Sequence, residues 1–186
     1  SDVCSSDLAS LFYRYSLQTI RSYIQLQPNG AALSFPVNVG NASTVGIENT
    51  CTASLSPFYD LNASFSLFRQ ELNGSNVSSD AVRSATGWYA KWINNFVPWP
   101  GGRLQVAANY NSALPTPQGK RIAQYFADLG FQQRWGKGNA RIGVTVTDLF
   151  NTFKSGYTNY TPSFYNFRNS KADTRAFIIT FAYTFK

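Results

Sequence analysis

The chain has no histidine, no methionine and only two cysteines, Cys4 and Cys51, in 186 residues. Losing histidine removes the commonest general base and the commonest metal ligand, which argues against a serine triad, metal-activated water or a zinc site. Glu48 and Asp128 have no partner motif for acid–base work and read as solvated charges, so no enzyme activity, catalytic residue, metal or cofactor is expected. Two cysteines make no disulfide framework, and Cys51 reads as a lone small hydrophobe on an apolar face. No segment approaches the run of about 18 apolar residues of a transmembrane helix, so any membrane crossing must be made by strands. Charge is scarce too: 13% of residues are charged, against about 25% in ordinary soluble domains.

Aromatics fill much of that space, at 16% of the chain. The mean hydropathy is nevertheless only -0.23, because Asn, Gln, Ser and Thr interleave with the aromatics. Such a mixture suits a sheet with lipid on one face and a wet lumen on the other. The net charge of +7 comes from scattered residues with no stripe or cluster, which fits basic loops facing anionic headgroups and not nucleic-acid binding.

The last dozen residues carry the clearest pattern. Phe177, Ile179, Phe181, Tyr183 and Phe185 alternate with Ala176, Ile178, Thr180, Ala182 and Thr184. Alternate side chains of a strand point to opposite faces, so one face is aromatic and the other small. Similar alternation runs through Val45–Leu55, Leu61–Leu67, Trp88–Trp92, Leu104–Tyr110, Ala123–Gln132 and Ile142–Val146. Residues 11–16 and 20–26 read as strand material broken by a polar patch. Residues 31–39 make a weaker strand, because Pro36 lacks a ladder donor. Tight turns at Pro57, Pro98 and Gly136 alternate with polar loops at 71–84, 112–120 and 151–173, and Gln27-Pro28-Asn29-Gly30 adds another turn signal.

The expected fold is all-β, an antiparallel up-and-down meander of about eight strands forming part of a transmembrane outer-membrane barrel. By itself it should be an open curved sheet with unpaired first and last strands. The lipid-facing set is Phe177, Ile179, Phe181, Tyr183, Phe185, Trp88 and Trp92. The lumen-facing set is Glu48, Lys91, Asp128, Arg141 and Thr180. A secreted β-sandwich binding module also alternates, but its water-exposed face would carry more Lys and Glu. Asn-x-Ser/Thr triplets at Asn41, Asn62, Asn73, Asn76 and Asn159 are chance in so polar a chain. Residues 1–8 stand apart: Asp2 to Leu8 can be encoded by a sequence that resembles the tail of a common sequencing-library adapter. They read as a non-native scar, leaving 9–186 as the barrel segment. With no methionine, the chain reads as the C-terminal fragment of a longer protein.

Three motifs occur in order: Gly46-Ile47-Glu48 opening a strand, Asn109-Tyr110 before a Pro-Thr-Pro-Gln-Gly loop (Pro115 to Gly119), and Asp148-Leu149-Phe150-Asn151 before a long loop and a terminal aromatic strand. Together they resemble the C-terminal barrel region of TonB-dependent receptors, over nearly all of Ser10 to Lys186. The resemblance implies a barrel of about 22 strands closed by an N-terminal plug. It also implies uptake of a scarce nutrient (siderophore, cobalamin, glycan or peptide) across the outer membrane of a Gram-negative-type bacterium. Implied partners are outer-membrane lipid, the assembly machinery reading the C-terminal strand, a plug domain and an energy-coupling protein. The chain departs from the family in ending on Lys186 after Phe185. A passive porin and a structural or adhesive barrel are the alternatives.

Overall fold

The computed structural model describes residues 6–77, 82–135, 139–161 and 164–185. Twelve strands follow in order: β1 (Ser6–Leu26), β2 (Ala32–Ser56), β3 (Tyr59–Asn73), β4 (Val82–Phe96), β5 (Gly102–Asn111), β6 (Leu114–Thr116), β7 (Gly119–Arg121), β8 (Gln124–Trp135), β9 (Ala140–Thr147), β10 (Ser155–Thr161), β11 (Phe164–Ser170) and β12 (Ala176–Tyr183). Eight of them make one antiparallel meander ordered β1-β2-β3-β4-β5-β8-β9-β12, an open sheet with β1 and β12 as its edges. The other four make a small sheet ordered β11-β10-β7-β6. No helix is long and apolar enough to cross a membrane, which says nothing about crossing by strands.

The two ends of the sheet differ. At one end the strands are joined tightly, at Pro57–Phe58 between β2 and β3 and at 97–101 between β4 and β5. The β8–β9 turn lies at the same end, with Gly136 to Gly138 outside the described residues. At the other end a short turn at 27–31 joins β1 to β2, but the β5–β8 and β9–β12 connections are long and hold β6, β7, β10 and β11. The expected loops at 112–120 and 151–173 are therefore corrected: short backbone pairings such as Thr158↔Lys120 and Tyr157↔Arg168 order both of them into the second sheet. The expected loop at 71–84 is also shorter, since β3 runs to Asn73 and β4 starts at Val82, two residues paired with each other.

The break expected near residue 17 and the separate weak strand at 31–39 are also corrected. β1 and β2 pair continuously from Ser6↔Thr52 to Leu26↔Ala32. The polar patch survives inside a strand because cross-strand partners satisfy its backbone, whatever its local propensity. The irregularity is confined to Gln18, with φ 53°, where the ladder passes from Leu17↔Asn41 to Thr19↔Val39. Val39, Ala42 and Leu72 form one buried cluster. Val37 and Val77 pack against it.

Little of the sheet is core. Buried apolar residues are few, and Leu11 (85% exposed), Ile20 (74%) and Phe181 (71%) stand open. An apolar surface of this extent needs a medium other than water against it. Cys51 is disulfide-bonded and no described cysteine is free, which corrects its reading as a lone hydrophobe. Cys4, the other cysteine of the sequence, lies outside the described residues.

Candidate functional site

The register sorts side chains into two faces, because residues paired across strands share a face. One row runs Phe177–Val146–Leu129–Val106–Asn94–Leu61–Ala53. Ile179, Phe181 and Tyr183 lie on this face opposite Val144, Ile142 and Ala140. Trp92 joins it opposite Ala63 and Ala108, and Trp88 opposite Leu67. Glu48 (opposite Ser66), Lys91 (Ser64 and Asn109), Asp128 (Ala107), Arg141 (Ala182) and Thr180 (Gly143) all lie on the other face. Phe185 follows the end of β12, with its ring edge-on to that of Tyr183 at 4.8 Å between centroids.

Aromatic rings on the first face gather at two levels. Trp88 stacks on Tyr110 at 4.0 Å between centroids, with Phe65 and Tyr125 alongside. Near the tight turns Tyr59 stacks on Phe96 at 4.8 Å and Trp99 approaches Phe131 at 6.1 Å. The opposite face is laced with polar pairs, among them Thr52–Asn62 and Gln105–Asn95, each 2.8 Å, and Ser54–Asp60 at 2.7 Å.

Above Gln18 the β1–β2 ribbon rises past β3, since β2 pairs with β3 only up to Asn41↔Asn73. A lone ribbon leaves two backbone edges unpaired. Carboxamides close both, each offering one donor and one acceptor as a peptide unit does. Asn76 accepts from Gly40 N–H at 2.9 Å and donates to Asn38 O at 2.8 Å. Gln118, 5% exposed, accepts from Ile24 N–H at 2.8 Å and donates to Ile24 O at 2.7 Å. The second clip joins the small sheet to the ribbon. Between them lies a cavity of about 440 Å³ lined by Ser22, Ile24, Gln118, Arg121, Tyr157 and Arg168, among others. Gln118 belongs to the Pro-Thr-Pro-Gln-Gly motif and Asn76 to an Asn-x-Ser triplet, but neither pattern marked the residue as a backbone clip.

Asp148 anchors the base of the longest connection. Its carboxylate is 2% exposed and accepts from Thr174 Oγ1 (2.6 Å), Lys171 Nζ (3.0 Å), Thr152 N (2.8 Å) and Phe153 N (3.2 Å). Its own N–H donates to Asp128 Oδ1 at 2.9 Å, so half-buried Asp128 supports the anchor from the neighbouring strand. Backbone angles of φ 45° at Asp148 and 55° at Asn151 turn the chain back on itself, as short polar side chains permit. Burial pushes the Asp148 carboxyl up, but the hydrogen bonds from Thr174, Lys171 and the two amides outweigh it and hold it well below the usual carboxylate range.

A depressed folded-state pKa means the anchor is at full strength above the unfolded value of 3.8 and weakens as pH falls below it. Amide exchange at Thr152 and Phe153, corrected for the intrinsic rate, should therefore stay slow from neutral pH down to that value and quicken below it. In Asp148→Asn both amides should exchange fast across the whole range, because a neutral amide cannot accept from four donors beside an unpaired Lys171. Unchanged protection in the variant would contradict this account of the anchor.

Neither the curated proteins nor the solved structures contain a match to this chain. The model of one family, the outer membrane protein beta-barrel family, matches residues 8–183. With that match, a meander of antiparallel strands and an apolar face left open, the chain belongs to the outer membrane protein beta-barrel family and resides in the bacterial outer membrane.

Proposed function

We propose that the chain is the C-terminal barrel segment of a TonB-dependent receptor that takes up a scarce nutrient of the siderophore, cobalamin, glycan or peptide class. The observation that carries this reading is the asymmetry of the two ends. One end has tight turns, while the other builds a second sheet around a cavity. An ordered chamber at the mouth gives a scarce ligand a place to dock before uptake. The face with Phe177, Ile179, Phe181, Tyr183, Trp88 and Trp92 meets lipid, and the face with Glu48, Lys91, Asp128, Arg141 and Thr180 lines the lumen. The open edges at β1 and β12 join further strands of a wider cylinder. β12 is the segment offered to the assembly machinery, and a plug domain and an energy-coupling protein engage residues upstream.

Electrical behaviour separates this reading from its rivals. The full-length protein in a planar lipid bilayer should be silent, because a plug occupies the lumen of such transporters. Steady ohmic conductance would replace the receptor reading with a passive porin. Silence with no plug-sized domain in the upstream reading frame would leave a structural or adhesive barrel.

A further inference from the structure

We infer that the mouth cavity binds a small soluble polyanion, gripped by Arg121 and Arg168 on either side of Tyr157. This deepens the proposed receptor function by naming the ligand class of its mouth. β10 lies between β7 and β11, and Tyr157 is paired with Arg121 on one side and Arg168 on the other. Directly paired residues share a face, so two guanidiniums flank one phenol ring on a single side of the small sheet. Adjacent strands are about 4.8 Å apart, which puts the two arginine backbones about 10 Å from each other. Ser155 and Asn159 continue the same face of β10, and Ser170 of β11 sits beside Ser155.

The electrostatics are one-sided. Among the described residues no carboxylate lines the cavity, and their ion pairs, Arg69–Glu71 and Lys171–Asp148, lie elsewhere. Two like charges in one row are unfavourable unless something anionic joins them. Guanidinium offers paired N–H donors matched to carboxylate or phosphate. Thr116 Oγ1, on the same cavity wall, is buried without a hydrogen-bond partner, a polar group left for a ligand or water. At about 440 Å³ the chamber suits a small molecule. The opposite wall is Ser22 and Ile24 of β1, held by the Gln118 clip.

The chemistry admits two sources, a soluble polycarboxylate or polyphosphate and the phosphates of an outer-leaflet glycolipid. At about 440 Å³ the half-open cavity between ribbon and small sheet has room for a small molecule and not for a whole glycolipid, which favours the soluble one. The test uses the full-length protein in detergent, with citrate and inorganic pyrophosphate as soluble probes and lipid A micelles as the lipid probe, all followed by calorimetry. Citrate or pyrophosphate should bind saturably, and affinity should fall about tenfold or more in Arg121→Gln and in Arg168→Gln, the loss of a charge-assisted pair. Arg121→Lys should lose less than Arg121→Gln.

Lys120→Gln removes the same charge from the opposite face of β7, since Lys120 pairs with Thr158, and should bind as the parent does. Heat-modifiable migration of each variant verifies folding. Equal weakening by Lys120→Gln would reduce the effect to general surface charge and overturn the site. Arginine-dependent binding of lipid A alone would overturn the soluble assignment. No binding of any probe by folded protein would overturn the proposal as a whole. None of these results bears on conductance, so the receptor reading stands or falls separately.

Discussion

Replacing Phe68 by alanine should cost about 3–5 kcal/mol of stability, the range for truncating a buried phenylalanine. Phe68 is 5% exposed although it lies on the polar face of the sheet. It is paired with Gly46 on one side and Gly87 on the other. The two glycines leave room for its ring, which lies 4.9 Å from that of Tyr89. A Cβ at Gly87 would stand 2.7 Å from Leu114 and 2.8 Å from Phe68, so ring, glycine and β6 are packed without slack. Alanine at 68 would uncover two glycine backbones and remove the floor on which Leu114 rests. Phe68→Leu should cost less than Phe68→Ala, because part of the volume is kept. Urea unfolding of the full-length protein in lipid measures both. A loss below about 1 kcal/mol for Phe68→Ala would mean the neighbours close the hole without cost, against the packing described.

Parity along β12 gives the second large effect. If the face of Phe177, Ile179, Phe181 and Tyr183 meets lipid, Phe181→Arg forces a charge into hydrocarbon, which costs about 2–4 kcal/mol at the midplane of a barrel. Thr180 lies on the other face opposite Gly143, where Thr180→Arg should cost little beyond local crowding. Energetics alone would not distinguish lipid from a protein core, so accessibility decides. In the full-length protein in lipid, Ile179→Cys, Phe181→Cys and Tyr183→Cys should resist water-soluble thiol reagents and be quenched by lipid-borne probes. Thr180→Cys and Ala182→Cys should show the reverse. Quenching indifferent to parity would remove the lipid assignment of this face.

Much of this was written into the chain. Period-two alternation is a local property, because successive strand side chains point to opposite faces wherever the strand ends up. For that reason Val144 and Ile142, Leu104 and Val106, and Phe177 to Tyr183 could be grouped by face from the sequence, and scarce charge with abundant aromatics pointed to a membrane sheet. The alternation of tight turns with long connections was equally legible, from Pro and Gly clusters set against polar stretches.

What the sequence did not disclose depends on contacts between distant residues. The unbroken β1 and β2 exist because each supplies the other's backbone partners through the polar patch around Gln18. The small sheet is assembled from β6–β7 and β10–β11, segments far apart in the chain that look like polar loops until they meet. Phe68 on the polar face is tolerated only because glycines from β2 and β4 flank it. Asp148 stood out as part of a motif, but its role as an anchor appears only when Thr174 and Lys171 return to it. The same is true of the cavity: Arg121, Tyr157 and Arg168 carry no common motif, and only strand pairing sets them in one row. Alternation is decided by the backbone of each strand alone, whereas a site is decided by which strands become neighbours.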